Sequence, residues 1–289
     1  MTLSSRSGAS TTRLAAVIGH PVAQSLSPPI HRAAFAAAGL DWNYVAFDVP
    51  AGSAAAAVEA MRVLGIGGLS VTMPHKDCVA GAVDRLDDAA RALGAVNTVS
   101  WDGDDLVGWS TDGDGFVAAL ADEGVEVAGA RCAVIGAGGA ARSLIDALGR
   151  AEADSIVVIN RTAQRADEAA QLARRASVGA LTDIAGADIV INATSVGMGV
   201  AVESAKIDDL PCDPALLRNA ETVADLVYHP LDTAWLAAAA DRGARPIDGL
   251  GMLVHQAALQ QRIWTGILPD TAPMRAAALS HLRSPPPIP

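Results

Sequence analysis

Short β-rich apolar runs alternate along the chain with alanine-rich stretches whose apolar positions recur at helical spacing. Strands are predicted at "LAAVIG" (14–19), "YVAFDV" (44–49), "GLSVTM" (68–73), "CAVIG" (132–136), "SIVVI" (155–159), "DIVIN" (188–192) and "TVADLV" (222–227). Helices are predicted around 28–39, 53–64, 114–124, 139–150, 162–175, 232–242 and 250–265. Strands and helices in alternation imply mainly parallel sheets covered by helices, an α/β fold. No repeat of solenoid period interrupts the pattern.

Two polar, glycine-punctuated stretches mark boundaries: "GWSTDGDG" (108–115) and "PIDGLGM" (246–252). They divide the chain into a first α/β domain, 1–111, and a self-contained βαβ-type domain, 112–248. The helix from about 250 must pack outside that block, so 249–289 is expected to return to the first domain. The Ser/Thr-rich start "MTLSSRSGASTT" lacks an apolar core and is expected to be a disordered lead-in rather than a signal peptide. The proline-rich end "SPPPIP" need not be structured.

Composition narrows the function. Of 289 residues 51% are apolar, enough for real cores, and the formal net charge is −11. That balance argues against a nucleic-acid or membrane-surface binder, either of which wants a basic face. No apolar run reaches the roughly 18 residues of a membrane span. Three cysteines without paired spacing suggest inert thiols in a reducing cytosol rather than a disulfide framework or zinc site. Six scattered histidines offer no metal cluster.

The strand "CAVIG" runs into "GAGGAAR" (136–142) and then a helix. This is G-x-G-x-x-A with Gly136, Gly138 and Ala141 at the fingerprint positions. Gly136 permits a tight turn, Gly138 lets backbone approach a pyrophosphate, and Ala141 keeps helix and strand close. The alternative is a purely structural glycine turn; strand before and helix after favour nucleotide binding. The next strand ends in "NRTAQR" (160–165). NAD-dependent folds put a carboxylate there to hold the ribose 2′-OH, and it would repel a 2′-phosphate. Asn160 is uncharged, and Arg161 and Arg165 can supply a phosphate fork and a flat cation over adenine. Arg142 can help from the glycine helix. Ordinary surface arginines are the alternative; the position in the βαβ unit favours NADP.

Four more stretches put polar, reactive residues at strand ends. In "GHPVAQSLSPPIH", Ser25 and Ser27 point the same way if the segment is extended, a spacing suited to one carboxylate. Ser27 also reads as a cap for a helix starting at Pro28–Pro29. In "SVTMPHK", Thr72 and Lys76 follow a buried strand, where ligands bind in open α/β sheets; alone, Lys76 reads as a surface lysine. His75 reads as a rim residue. In "GAVNTV", Asn97 is a candidate polar contact or a buried turn amide, and in "STDGDG" Asp112 could merely cap a helix near Phe116.

Taken together and in this order, the Ser-x-Ser loop, "VTMPHK", "GAVNT", "TDGDG", "GAGGAAR", "NRT", "NATSVGM", "DLVY" and "GLGMLVHQA" resemble the shikimate dehydrogenase family, from Gly19 to about Ile267. The resemblance implies a two-domain enzyme with a substrate domain and a Rossmann domain for NADP. It implies reversible reduction of 3-dehydroshikimate to shikimate by NADPH, in the pathway to chorismate and aromatic amino acids. It implies that Ser25 and Ser27 hold the substrate carboxylate and that Thr72, Asn97 and Gln256 hold ring hydroxyls, with Tyr228 near substrate. Lys76 and Asp112 match the catalytic pair, with Lys76 donating a proton as an ammonium and Asp112 orienting it. Cofactor contacts are implied at Gly136, Gly138, Gly139 and Ala140, at the clamp Asn160, Arg161, Thr162 and Arg165, and at Asn192, Thr194, Met198, Gly249, Gly251 and Met252. No metal is implied, and the location implied is cytoplasmic. Homodimer and monomer are both left open.

Ser70 stands where the family usually has Asn, Ala234 where Pro is usual after Thr233, and Asp248 where Asn is common. "GVAVESAKID" after Met198 is also unlike the usual continuation. Quinate or aminoshikimate dehydrogenase on the same scaffold is the nearest alternative; quinate users tend to carry a bulkier residue at the Ser27 position. An inactive NADP-binding sensor is the remote one, and retention of Lys76 and Asp112 argues against it.

Overall fold

The computed structural model describes residues 12–283, so the Ser/Thr-rich start and the proline-rich end lie outside the described residues. The chain divides into two units: the first takes in residues up to Asp87, 95–109 and 260 onward, the second 88–94 and 110–259. In chain order the first carries β1 (Arg13–Gly19), α1 (Ser27–Ala37), β2 (Trp42–Asp48), α2 (Ala54–Leu64), β3 (Gly68–Val71), α3 (Lys76–Ala80) and β4 (Arg85–Leu86). After α4 (Asp88–Leu93) of the second unit, it adds β5 (Thr98–Asp102) and β6 (Asp105–Trp109).

Its sheet runs in the order β2-β1-β3-β5-β6-β4. β1 pairs parallel with β2 and β3, whereas β3–β5 and β5–β6 are antiparallel. The sequence pattern does not foretell this hairpin. "TVSWD" and "DLVGW" are five residues each, their apolar positions are interleaved with Ser100 and Gly108, and neither shows a long apolar run. Two-residue closure is possible because Gly103 takes φ +65°, which costs glycine nothing.

The second unit continues with α5 (Asp112–Asp122), β7 (Arg131–Ile135), α6 (Gly139–Arg150), β8 (Ser155–Ile159), α7 (Ala163–Ala170) and β9 (Ala176–Val178). Then come β10 (Ile189–Asn192), β11 (Thr222–Asp225), α8 (Ala234–Ala240), β12 (Arg245–Ile247) and α9 (Gly249–Thr265). The last turns of α9 and the whole of α10 (Thr271–Arg283) belong to the first unit. The second sheet is all parallel in the order β12-β11-β10-β7-β8-β9, the doubly wound order of dinucleotide-binding folds. α7 stops at Ala170, short of the expected 175. The chain must turn back there, because β9 pairs beside β8 and the Ile156 amide donates to the Arg175 carbonyl at 3.0 Å.

In the first unit, Ala15, Val17, Val22, Phe35, Tyr44 and Trp264 form one buried cluster. A Cβ on Gly68 would enter the Trp264 indole, so this strand position must be glycine for Trp264 to lie on the sheet. His31 stacks on Tyr44 with centroids 4.2 Å apart, and burial pushes its imidazole down to about 3. The unfolded chain, with a value near 6.5, therefore binds the proton first. Stability from this residue is complete above about 6.5 and is lost as pH falls toward 3. Gln at position 31 keeps a donor and an acceptor but cannot titrate. We expect the wild type to lose about 2 kcal/mol more than His31→Gln between pH 7 and pH 5. Urea unfolding at the two pH values measures this; equal losses contradict it.

Candidate active site

In the first sheet the chain goes from β1 out to β2 on one side and then crosses back over β1 to β3 on the other, and ligands bind at such a switch point beyond the carboxyl ends. Ser25 and Ser27 follow β1, while Thr72 and Lys76 follow β3. Because β5 runs antiparallel to β3, its leading residue Asn97 reaches the same edge: the Val71 amide donates to the Asn97 carbonyl at 2.7 Å. The Val96 amide donates to the Lys76 carbonyl at 3.0 Å, tying the first turn of α3 to that strand. One sheet edge thus gathers two serines, a threonine, a lysine and an asparagine.

Local geometry corrects four expectations. The Ser25–Ser27 stretch is not extended: the Ser25 amide donates to the Val22 carbonyl at 3.0 Å, and the Ser27 amide to Ser25 Oγ at 3.2 Å. A turn, not strand alternation, brings the two serines together. α1 has no side-chain cap, and Ser27 is its first residue rather than a cap; Pro28–Pro29 follow in the first turn, which their fixed φ suits. His75 is no rim residue. It is 1% exposed, and its ring nitrogen Nε2 meets the Val49 carbonyl at 2.7 Å, which makes Nε2 the protonated nitrogen. Lys76 is half-buried rather than free on the surface. Asn97 is buried, and its Oδ1 accepts from the Thr98 hydroxyl at 2.8 Å, as a turn amide does.

In the second unit Asp112 is the first residue of α5, not a cap before it. Thr111, just before it, donates from Oγ1 to the Gln256 carbonyl at 3.2 Å, and a Cβ on Gly115 would run into the Gln256 backbone. Asp112 and Gln256 are therefore on neighbouring turns of α5 and α9. The Gln256 side chain bonds back to the Leu253 carbonyl at 2.8 Å.

The switch point of the second sheet lies between β7 and β10. Gly136 leaves β7 with φ +120°, and a Cβ there would meet the Ala193 carbonyl at 2.9 Å. At Gly138 and Gly139 a Cβ would meet nothing within 4 Å, so backbone lines an open space at the N-terminus of α6. These residues fit a dinucleotide pyrophosphate, which needs bare amides and the positive end of a helix. The Gly136 amide donates to the Ile159 carbonyl at 2.8 Å, so Asn160, one residue on, is beside the glycine turn. Asn160 Nδ2 donates to the Thr162 carbonyl at 3.0 Å, and Arg161, Thr162 and Arg165 are exposed. Arg142 points elsewhere and donates to the Leu93 carbonyl at 3.1 Å.

Across the switch point, Thr194 donates to Asn192 Oδ1 at 2.6 Å, and Asn192 Nδ2 donates to Asp225 at 2.8 Å. Asp225 also accepts from the Val227 amide and from Thr233, and burial pushes its carboxyl up. "DLVY" drew attention only for Tyr228; the buried Asp225 that organises three segments gave no signal of its own. Tyr228 is half-buried, and burial raises its phenol. The Gly199 amide donates to the His229 carbonyl at 2.8 Å, which brings the exposed Met198 turn next to Tyr228. Gly249 packs against the Leu226 carbonyl, and Met252 packs on the core of this unit. Among the described residues, no group of three or more His, Cys, Asp or Glu is placed to hold a metal, and no helix is long and apolar enough to cross a membrane.

Comparison with known proteins decides the family. Three family profiles match in order: the shikimate dehydrogenase substrate binding domain over residues 17–99, shikimate / quinate 5-dehydrogenase over 119–214, and the shikimate 5′-dehydrogenase C-terminal domain over 249–279. A shikimate dehydrogenase (NADP(+)) of Rubrobacter xylanophilus is 45% identical over 276 residues, covering 92% of this chain and 95% of that one. The chain belongs to the shikimate dehydrogenase family. That of Moorella thermoacetica is 43% identical over 267 residues, covering 89% of each. A crystal structure of the Thermus thermophilus enzyme with NADP(H) and shikimate superposes with a TM-score of 0.85 at 35% identity, covering 93% of this chain and 99% of that one.

Within the shikimate dehydrogenase family the unusual residues find local explanations. Asp248 Oδ1 accepts from the Leu250 and Gly251 amides at 3.0 and 3.2 Å, so the carboxylate caps α9 and favours its positive end. Without proline at 234, Thr233 still caps α8 by accepting from the Leu236 amide at 3.2 Å. The stretch after Met198 folds into two short 3-10 turns, Val202–Ser204 and Ile207–Asp209.

Proposed function

We propose that the chain is an NADP-dependent shikimate dehydrogenase, reversibly reducing 3-dehydroshikimate to shikimate. The observation that carries the reading is the single sheet edge that gathers Ser25, Ser27, Thr72, Lys76 and Asn97. Three hydroxyls, a cation and an amide there suit a polyhydroxylated ring bearing a carboxylate. The first unit is the substrate domain and the second the cofactor domain. Gly136, Gly138, Gly139 and Ala140 hold the pyrophosphate; Asn160, Arg161, Thr162 and Arg165 hold the 2′-phosphate; Thr194, Met198, Gly249 and Met252 line the nicotinamide end.

When bound, the nicotinamide supplies the hydride in the reductive direction. Ser25 and Ser27 fix the carboxylate, and Thr72, Asn97 and Gln256 orient the ring hydroxyls. Lys76 gives its Nζ proton to the oxygen on which negative charge grows. Asp112 orients that ammonium and shares the proton in the oxidative direction.

Purified protein mixed with NADPH and 3-dehydroshikimate should lose the near-ultraviolet band of the reduced cofactor. A protein that binds NADPH but leaves the band intact is a sensor, not this enzyme. Ser25→Ala and Ser27→Ala should each raise the shikimate KM more than they lower kcat, because the carboxylate is held equally in ground and transition states. Unchanged KM in steady-state kinetics removes them from the site.

A further inference from the structure

One buried polar network in the first unit lies behind the residues just assigned to substrate. Gln260, in the last part of α9, is 2% exposed. Its Oε1 accepts from Ser70 Oγ at 2.6 Å and meets His31 Nε2 at 3.1 Å. Its Nε2 donates to the Asn97 carbonyl at 3.2 Å. An amide oxygen only accepts, so Ser70 and His31 must both donate to it. With its own proton used, Ser70 Oγ accepts a hydrogen bond from the Tyr44 hydroxyl at 2.7 Å. Tyr44 in turn meets the Ser27 hydroxyl. Gln261 completes the arrangement by donating to His31 Nδ1 at 3.2 Å and to the His31 carbonyl at 3.0 Å. The network has one polarity, set by Gln260, and its two ends are Asn97 and Ser27.

Its middle is also where the chain departs from family habit. An asparagine at position 70 would carry an amide donor and acceptor directly on β3. Ser70 has only a hydroxyl, and Gln260 brings an amide to the same spot from α9. We propose that Gln260, acting with Ser70 and Tyr44, is a positioning residue that holds Asn97 and Ser27 in their substrate-binding places, an α9 amide reaching β3 at a position where Ser70 supplies only a hydroxyl. The inference rests on Asn97 and Ser27 binding substrate. Gln260 is almost fully buried and its amide is engaged by Ser70, His31 and Asn97, so its effect reaches the reaction through Asn97 and Ser27.

Four proteins test this: wild type, Gln260→Leu, Ser70→Asn and the double variant, each measured for shikimate KM, NADP KM, kcat and Tm. Gln260→Leu strands the Ser70 and His31 donors and leaves the Asn97 carbonyl with the Val71 amide alone. It should raise shikimate KM about tenfold, the scale of one net hydrogen bond, with NADP KM unchanged. Ser70→Asn alone crowds Gln260 and should also raise KM. The double variant restores one amide in one space, and should return to within about threefold of wild type, the signature of coupled neighbours. A lower Tm without a selective rise in shikimate KM, or single losses that multiply in the double variant, overturns the proposal. Should Gln260→Leu not fold, Tyr44→Phe removes a single hydroxyl from the chain and should raise shikimate KM about threefold; no change there overturns it equally. Ser25→Ala, outside the network, separates the two levels. If it raises KM while the network variants do not, only the positioning role falls; if none does, the substrate assignment falls with it.

Discussion

Lys76→Met is expected to lower kcat about 10²–10⁴-fold, the usual worth of a placed proton donor, with shikimate KM changed little. Methionine keeps the length and apolar packing of the half-buried stem and deletes only the ammonium. Backbone placement should survive, because the Lys76 carbonyl is held by the Val96 amide and not by the side chain. NADP binding at the glycine turn should be unaffected. Asp112→Asn should give a loss of similar size. The double variant should be little worse than either single one, since residues acting as one unit are strongly non-additive. Multiplying losses would mean that Lys76 and Asp112 act separately. His75 cannot substitute as donor while its protonated nitrogen is committed to the Val49 carbonyl. Near-normal kcat in Lys76→Met would therefore point to a bound water. Single-turnover and steady-state kinetics together give these values.

The second large effect concerns cofactor choice. Asn160→Asp with Arg161→Asp should shift preference from NADP toward NAD by roughly 10²-fold or more. The change deletes an exposed guanidinium facing the proposed 2′-phosphate and adds a carboxylate for the ribose 2′-OH. Pairing of β8 with β7 fixes the backbone just before position 160 beside the glycine turn, and an aspartate there, unlike the amide, cannot donate to the Thr162 carbonyl, so its carboxylate is released toward the ribose. The ratio of kcat/KM for NADP over NAD is the readout. A double variant that keeps its NADP preference places the phosphate clamp elsewhere.

The second unit was readable from sequence because its chemistry is local. Strand, glycine turn, helix and a second strand ending at Asn160 are consecutive, and short-range rules fix how they meet. The first unit was readable in its elements but less in its contacts. Ser25 and Ser27 did turn out to be neighbours, yet through a turn and not through strand alternation. The β5–β6 hairpin, which brings Asn97 to the site edge, was missed because short strands with interleaved small and polar residues carry no strong period. His75 looked exposed beside a lysine; only the path of the chain past β2 shows the Val49 carbonyl waiting for it. Gln260 gave no warning either. A glutamine in a helix reads as solvated, and its burial depends on Ser70, His31 and Asn97, more than 160 residues away. The one hint was Ser70, a position where the family pattern was broken without an evident reason.

The central claim is tested most directly by a panel of shikimate, quinate and aminoshikimate, each assayed with NADP and with NAD. The account predicts the highest kcat/KM for shikimate with NADP, by about tenfold or more over every other combination, as one mismatched polar group in a fitted site should cost. Equal or greater efficiency with quinate, with aminoshikimate or with NAD would contradict it.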